Sequence, residues 1–240
     1  MRGHGQSFMP ETAEGHSSKL YADDFKAVCE AFNVTKPVFA GWCVLLFNFL
    51  ILILSCLRSL GGCIAADICT HLGSDYISGI VYLAAMYALD SSTPRVLSTR
   101  LKEMMPGLTS RDDVTLYKRT VLQFADGCFF DPSSVPYETR VAWIGAAFSQ
   151  PPVVASLVLR REQDPQQLFE AGKKGLRCLY LHGKEDNHRT SPRAVAEELK
   201  PYFGDAMEVV EVDNAGHAFF FEQPQETNRL LLDFVKKVNA

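Results

Sequence analysis

The sequence contains no Cys-x-x-Cys pair, although it has seven cysteines. Odd in number and scattered, they suggest neither a zinc site nor a disulfide framework, and reduced thiols are the simpler reading. An excess of one charge is also missing. Lys and Arg total 24 against 28 Asp and Glu, a formal net charge of −4, which gives no reason to expect nucleic acid or an anionic membrane surface as partner. The opening Met1-Arg2-Gly3-His4-Gly5-Gln6-Ser7 lacks the apolar core of a signal peptide. No internal repeat or low-complexity tract occurs. What is present is ordinary for a globular protein: 47% hydrophobic and 22% charged residues over 240 positions, enough for one domain with a substantial core.

One run departs from that picture. Residues 37–57 pass without a charge, close to the length of a bilayer-spanning helix. A membrane-associated protein is expected if that segment spans, and a cytoplasmic one otherwise.

The rest of the chain alternates strands and helices. Residues 20–32 suit a helix with Leu20, Phe25, Val28 and Phe32 near one face, and 38–40 begin a buried strand. Residues 61–72 suit a helix capped by Gly73, and the apolar run 77–84 reads as a buried parallel strand. From 90 to 161 the pattern changes. Prolines at 94, 106, 132, 136, 151 and 152 punctuate short helices such as 114–124 and 137–148, the composition of a cap inserted over a site. Alternation resumes with a strand over 177–181, a helix opened by Ser191-Pro192 and closed by Gly204, a strand over 207–212 and a final helix from Pro224. The fold class expected is α/β, a parallel sheet flanked by helices. Its core spans 1–89 and 162–240, and the helical cap spans 90–161.

Three loops at strand ends hold Ser59, Asp186 and His217, and sites in open α/β sheets assemble at the carboxyl ends of strands. The chain order Ser, Asp, His is that of α/β-hydrolases rather than of the other serine-hydrolase folds. Each residue has a plainer reading beside this one. Ser59 before Gly61-Gly62 suits a helix N-cap, Asp186 a loop cap and His217 a satisfied loop histidine. His4 reads as a turn residue, while His71 and His188 read as surface or loop residues. Asp164, Asp205 and Asp213 compete less well with Asp186. Met104, Met105, Phe124, Trp143 and Phe148 suit either a substrate pocket or core packing, and Cys63 and Cys69 suit the core.

Arg2-Gly3-His4-Gly5-Gln6-Ser7 resembles the R-G-H-G-x-S turn of many α/β-hydrolases. Leu181-His182-Gly183-Lys184-Glu185-Asp186 resembles that family's acid loop. Asn214-Ala215-Gly216-His217, followed by Glu222 and Pro224, resembles its histidine loop. The resemblance covers almost the whole chain and implies a partial α/β-hydrolase fold. It also implies about four strands ahead of Arg2, with a loop that supplies one oxyanion N–H. The nucleophile motif G-x-S-x-G is interrupted: Gly41-Trp42 is separated from Ser59-Leu60-Gly61 by residues 43–58. Removing 43–58 restores A-G-W-S-L-G-G. As written, Leu57 and Arg58 stand before Ser59, where the strained elbow needs a small residue two positions before the serine. The codons allow a mundane cause. An intron-type GT start fits within TGG for Trp42, and an AG end fits Arg58 if its codon is AGG, so 43–58 reads as a translated intron.

The expected mechanism uses Ser59 as nucleophile, His217 as general base, Asp186 as its orienting partner and the Leu60 N–H as oxyanion donor. It calls for no cofactor and no metal. The expected substrate is a small or medium carboxylic ester; thioesters, lactones, C–C bonds and perhydrolysis stay open, and oligomeric state is unread. The alternatives are a catalytically inactive remnant and a single-span membrane protein through 37–57.

Overall fold

The computed structural model describes residues 1–42, 60–90, 98–188 and 192–240. Four strands form one sheet in the order β1 (Val38–Trp42), β2 (Gly79–Leu83), β3 (Arg177–Gly183) and β4 (Met207–Val212), and every neighbouring pair is parallel. Parallel pairing demands crossovers, and helices supply them. The described helices are α1 (Ser18–Ala31), α2 (Ile64–His71), α3 (Thr99–Leu108), α4 (Val114–Gly127), α5 (Tyr137–Phe148), α6 (Pro152–Leu159), α7 (Gln166–Lys173), α8 (Pro192–Phe203), α9 (Phe219–Glu222) and α10 (Pro224–Asn239), of which α2 to α8 lie in the crossovers.

The period of two along the central strands sorts the core into two layers. Ile80, Tyr82, Cys178 and Tyr180 pack with Tyr21 and Phe25 of α1, Ile64 and Ile68 of α2, Leu168 of α7 and Leu199 of α8. Their alternates Val81, Leu83, Leu179 and Leu181 pack with Leu101 of α3, Phe124 of α4, Trp143 of α5 and Phe234 of α10. Both faces of β2 and β3 are therefore covered, which is why their sequences are continuously apolar. β4 lies at an edge and is only half buried along most of its length.

Local chemistry sets the helix ends. The Ser98 hydroxyl accepts from Leu101 N at 3.1 Å to open α3, and the Asp113 carboxylate accepts from Leu116 N at 2.7 Å to open α4. Pro152 occupies the first turn of α6, where its missing N–H costs nothing. Gly73, at φ +95°, follows the end of α2 and donates its N–H to Ile68 O at 3.2 Å. On α2 the buried carboxylate of Asp67 receives Arg161 Nη1 at 2.6 Å, Gln163 Nε2 at 2.6 Å and the Ser18 hydroxyl at 2.5 Å.

Two sequence expectations need correction. The buried face of α1 is Tyr21, Ala22, Phe25 and Cys29, while Phe32 stands 71% exposed; the helix ends at Ala31, so Phe32 falls off its periodic face. A single membrane helix over 37–57 does not form, because Val38–Trp42 is a strand paired with β2; 43–57 lies outside the described residues. Among the described residues no single helix is long and apolar enough to cross a membrane. Helices α5 and α6 pass that test together but are bent by 78°.

Candidate active site

The site is built where β1, β3 and β4 end. β3 runs out at Gly183, and the loop after it is tied to the loop after β4. Lys184 N donates to Val212 O at 3.0 Å and Glu185 N donates to Ala215 O at 3.0 Å. In return the Glu185 carboxylate accepts from Ala215 N at 3.0 Å. Gly183 permits this closeness, since a methyl group there would overlap the carbonyl oxygens of Ala215 and Gly216. Asn214 makes the turn at φ +54°, a conformation that Asn tolerates better than most residues.

Asp186 and His217 meet inside this closed pair of loops. His217 Nδ1 donates to Asp186 Oδ2 at 2.6 Å, and both side chains are almost completely buried. The other oxygen, Oδ1, accepts the backbone N–H of His188 at 2.8 Å. With Nδ1 the donor, Nε2 is the basic nitrogen of the ring. Glu222 braces the arrangement from behind: its two oxygens accept Phe130 N and Gly216 N, each at 2.7 Å.

The end of β1 abuts the same histidine. The indole N–H of Trp42 donates to His217 O at 3.2 Å, and the two rings lie 6.1 Å apart. Trp42 also packs edge-on against Trp143, at 5.7 Å, and Phe220. The chain resumes beside it. A methyl group on Gly61 would overlap the Trp42 carbonyl oxygen, and one on Gly41 would lie 2.7 Å from the Gly61 carbonyl carbon. Gly41 and Gly61 thus face one another, as the close strand-to-helix turn of an elbow requires. Ser59 and the interval 43–58 lie outside the described residues; Leu60 is buried at the approach to α2.

Other candidates are elsewhere. The Asp164 carboxylate receives Gln166 N at 2.9 Å, Asp213 pairs with Lys184 at 2.8 Å on the surface, and Asp205 sits in a short helical turn after α8. His4 is buried in its turn, with Nδ1 donating to Arg2 O at 3.1 Å. Cys63 and Cys69 are buried in the core. Of the five residues considered for a pocket, only Phe124 lines the apolar cavity among helices α3 to α6, with Leu108, Tyr117, Val121, Ala147, Gln150 and Ala155. Trp143 is buried against Trp42 and Phe148 is partly exposed. Of the two readings of His188, the loop one holds and the surface one does not: it lies in the turn after β3, is 1% exposed, and its ring is 5.3 Å from that of His217. Glu222 was visible only as part of a motif, and its bracing role depends on Phe130, 92 positions away. Among the described residues no cluster of three or more His, Cys, Asp and Glu side chains could hold a metal ion.

A parallel sheet with helices on both faces, and a buried Asp–His pair at its strand ends, define the class, and sequence comparison agrees. The profile of the alpha/beta hydrolase family matches residues 58–230, and the chain belongs to that family. It is 27% identical over 241 residues to the AB hydrolase superfamily protein YisY of Bacillus subtilis, covering 98% of this chain and 78% of that one. Its fold is similar to the esterase RhEst1 from Rhodococcus sp. ECU1013 (TM-score 0.80, 20% identity, 99% of this chain and 78% of that one). It is also similar to a bromoperoxidase from Bacillus anthracis (TM-score 0.71, 18% identity, 98% and 79%).

Proposed function

We propose that the protein is a serine hydrolase of small or medium carboxylic esters, working through an acyl-enzyme. Ser59 Oγ attacks the ester carbonyl carbon while His217 Nε2 takes its proton. Asp186 holds the imidazole tautomer and stabilises the imidazolium. The oxyanion receives the Leu60 N–H at the approach to α2, a helix end of favourable polarity. The imidazolium returns its proton to the departing alkoxide, and water activated by the same base releases the acid. The helical segment 90–161 serves as the cap over the site, and the core comprises 1–89 with 162–240.

One observation carries this reading: the buried 2.6 Å pair of His217 and Asp186, set beside the end of β1 by the Trp42 indole. The facing of Gly41 and Gly61 supports 43–58 as an interruption of an elbow whose halves still pack. With Leu57 in sequence where the elbow needs a small residue two positions before the serine, the 240-residue chain is expected to show little turnover. Joining Trp42 to Ser59 should raise p-nitrophenyl ester hydrolysis by at least about 10²-fold, with fluorophosphonate labelling at Ser59 that is lost in S59A. A folded deletion variant that neither labels nor hydrolyses would sink the serine-hydrolase reading. Strong turnover by the full chain, abolished by S59A, would sink the interruption.

A further inference from the structure

His188 stands between the acid loop and the helical segment and contacts both. Its backbone N–H is donated to Asp186 Oδ1 at 2.8 Å. Its ring stacks on Phe124 at 4.6 Å and 17°, and Nε2 donates to Phe124 O at 3.0 Å. The ring fills the space over Gly127, where a methyl group would lie 2.7 Å from Cε1. On its remaining side it meets His217 nearly at right angles.

We propose that His188 is a positioning residue for the Asp186–His217 pair, locking the carboxylate to the docked position of α4. It rests on the Ser-His-Asp reading in that His217 is taken as the base. The ring fixes where α4 sits against the loop, and the backbone N–H of the same residue fixes the Asp186 carboxylate. A shift of Phe124 is therefore passed through one residue to the oxygen that holds His217.

The lock requires a proton on Nε2. Nε2–H must donate to Phe124 O, so a neutral ring keeps its lone pair at Nδ1, and that buried atom has no hydrogen-bond partner among the described residues. The charged and titratable groups around the ring are His217, Asp186, the Cys128 thiol at 3.5 Å and Arg100 from α3. Burial, then His217, pushes His188 down to about 3, so it stays neutral wherever His217 works. A second imidazolium beside His217 would oppose the charge that His217 must take on.

The test uses the full 240-residue chain labelled with ¹⁵N-histidine. In the unmodified protein, His188 is expected as the neutral Nε2–H tautomer from pH 5 to 8, and His217 Nδ1–H as a far-downfield, slowly exchanging proton. His188→Met and His188→Gln have similar volume, and only Gln can donate to Phe124 O. H188M should speed exchange of the His217 Nδ1 proton by roughly tenfold or more, and H188Q should restore most of the protection. Whatever ester turnover the chain shows should follow the same order in kcat, with KM within about twofold.

A His188 that carries its proton on Nδ1, or titrates near 6.5, overturns the proposal without any mutation. So does an H188M with wild-type proton exchange, or an H188Q no better than H188M. If a folded variant with Trp42 joined to Ser59 hydrolyses no ester while the exchange rates follow the expected order, the hydrolase reading fails and the positioning role stands.

Discussion

Three strand-end turns meet at this site, and they are held in two different ways. The turns after β3 and β4 are continuous in sequence and bound to each other by three backbone N–H groups and the Glu185 carboxylate, with Glu222 behind. After β1, residues 43–59 lie outside the described structure, and Trp42 and Gly61 lie against one another across that interval. Trp42 is joined to the first pair by its indole N–H. Contacts between neighbouring loops, rather than continuity of the chain, bring β1 and α2 together.

The largest effect should come from the continuous half. In the chain lacking 43–58, Asp186→Asn is expected to reduce kcat about 10³- to 10⁴-fold, since an amide favours the wrong imidazole tautomer. The melting temperature should fall only slightly, because Asn can still accept the His188 N–H. Steady-state kinetics and thermal denaturation of the same sample decide it. A loss below tenfold would mean that the 2.6 Å pair is structural only.

Next is a paired substitution that sets the two turns directly against each other. Gly183→Ala pushes a methyl group into the carbonyl oxygens of Ala215 and Gly216, and Gly61→Ala pushes one into that of Trp42. If the interrupted elbow is as firmly packed as the continuous turns, each should cost about 1–3 kcal/mol in urea denaturation of the 240-residue chain. A silent G61A beside a costly G183A would show that the elbow's halves do not bear on one another.

The sequence made the continuous half easy to read and left its support hidden. Leu181 to Asp186 and Asn214 to His217 are short motifs whose side chains act within a few residues of where they stand. The strands at 177–183 and 207–212 follow from local apolar runs. His188 escaped because the contacts that bury it come from Phe124, Gly127 and Cys128, some 60 positions earlier. The lining of the cavity escaped for the same reason. Helical periodicity gives a buried face but not which part of that face meets a gap, so Val121 and Ala155 line it while Met104 does not. Phe32 shows the limit on the smallest scale: it continues the periodic pattern by one residue, and the helix stops before it.

The smallest effect isolates the continuous half without reference to the elbow. In the folded protein burial keeps His188 neutral down to about pH 3, whereas in the unfolded chain it takes up a proton near 6.5. Between those values only the unfolded state holds the proton, so unfolding becomes easier as pH falls and is unaffected above about 7. The slope from this group approaches about 1.4 kcal/mol per pH unit once pH is well below 6.5. His16, also pushed down by burial, adds in the same direction, so the unmodified chain should weaken more steeply than His188 alone requires. Urea midpoints at pH 7, 6 and 5 for the unmodified chain and for H188Q separate the two contributions. The variant should lose His188's share of the slope and keep that of His16. Equal slopes would mean that His188 is protonated in the folded protein, and the region joining α4 to Asp186 would then be more open than the closed loops around it.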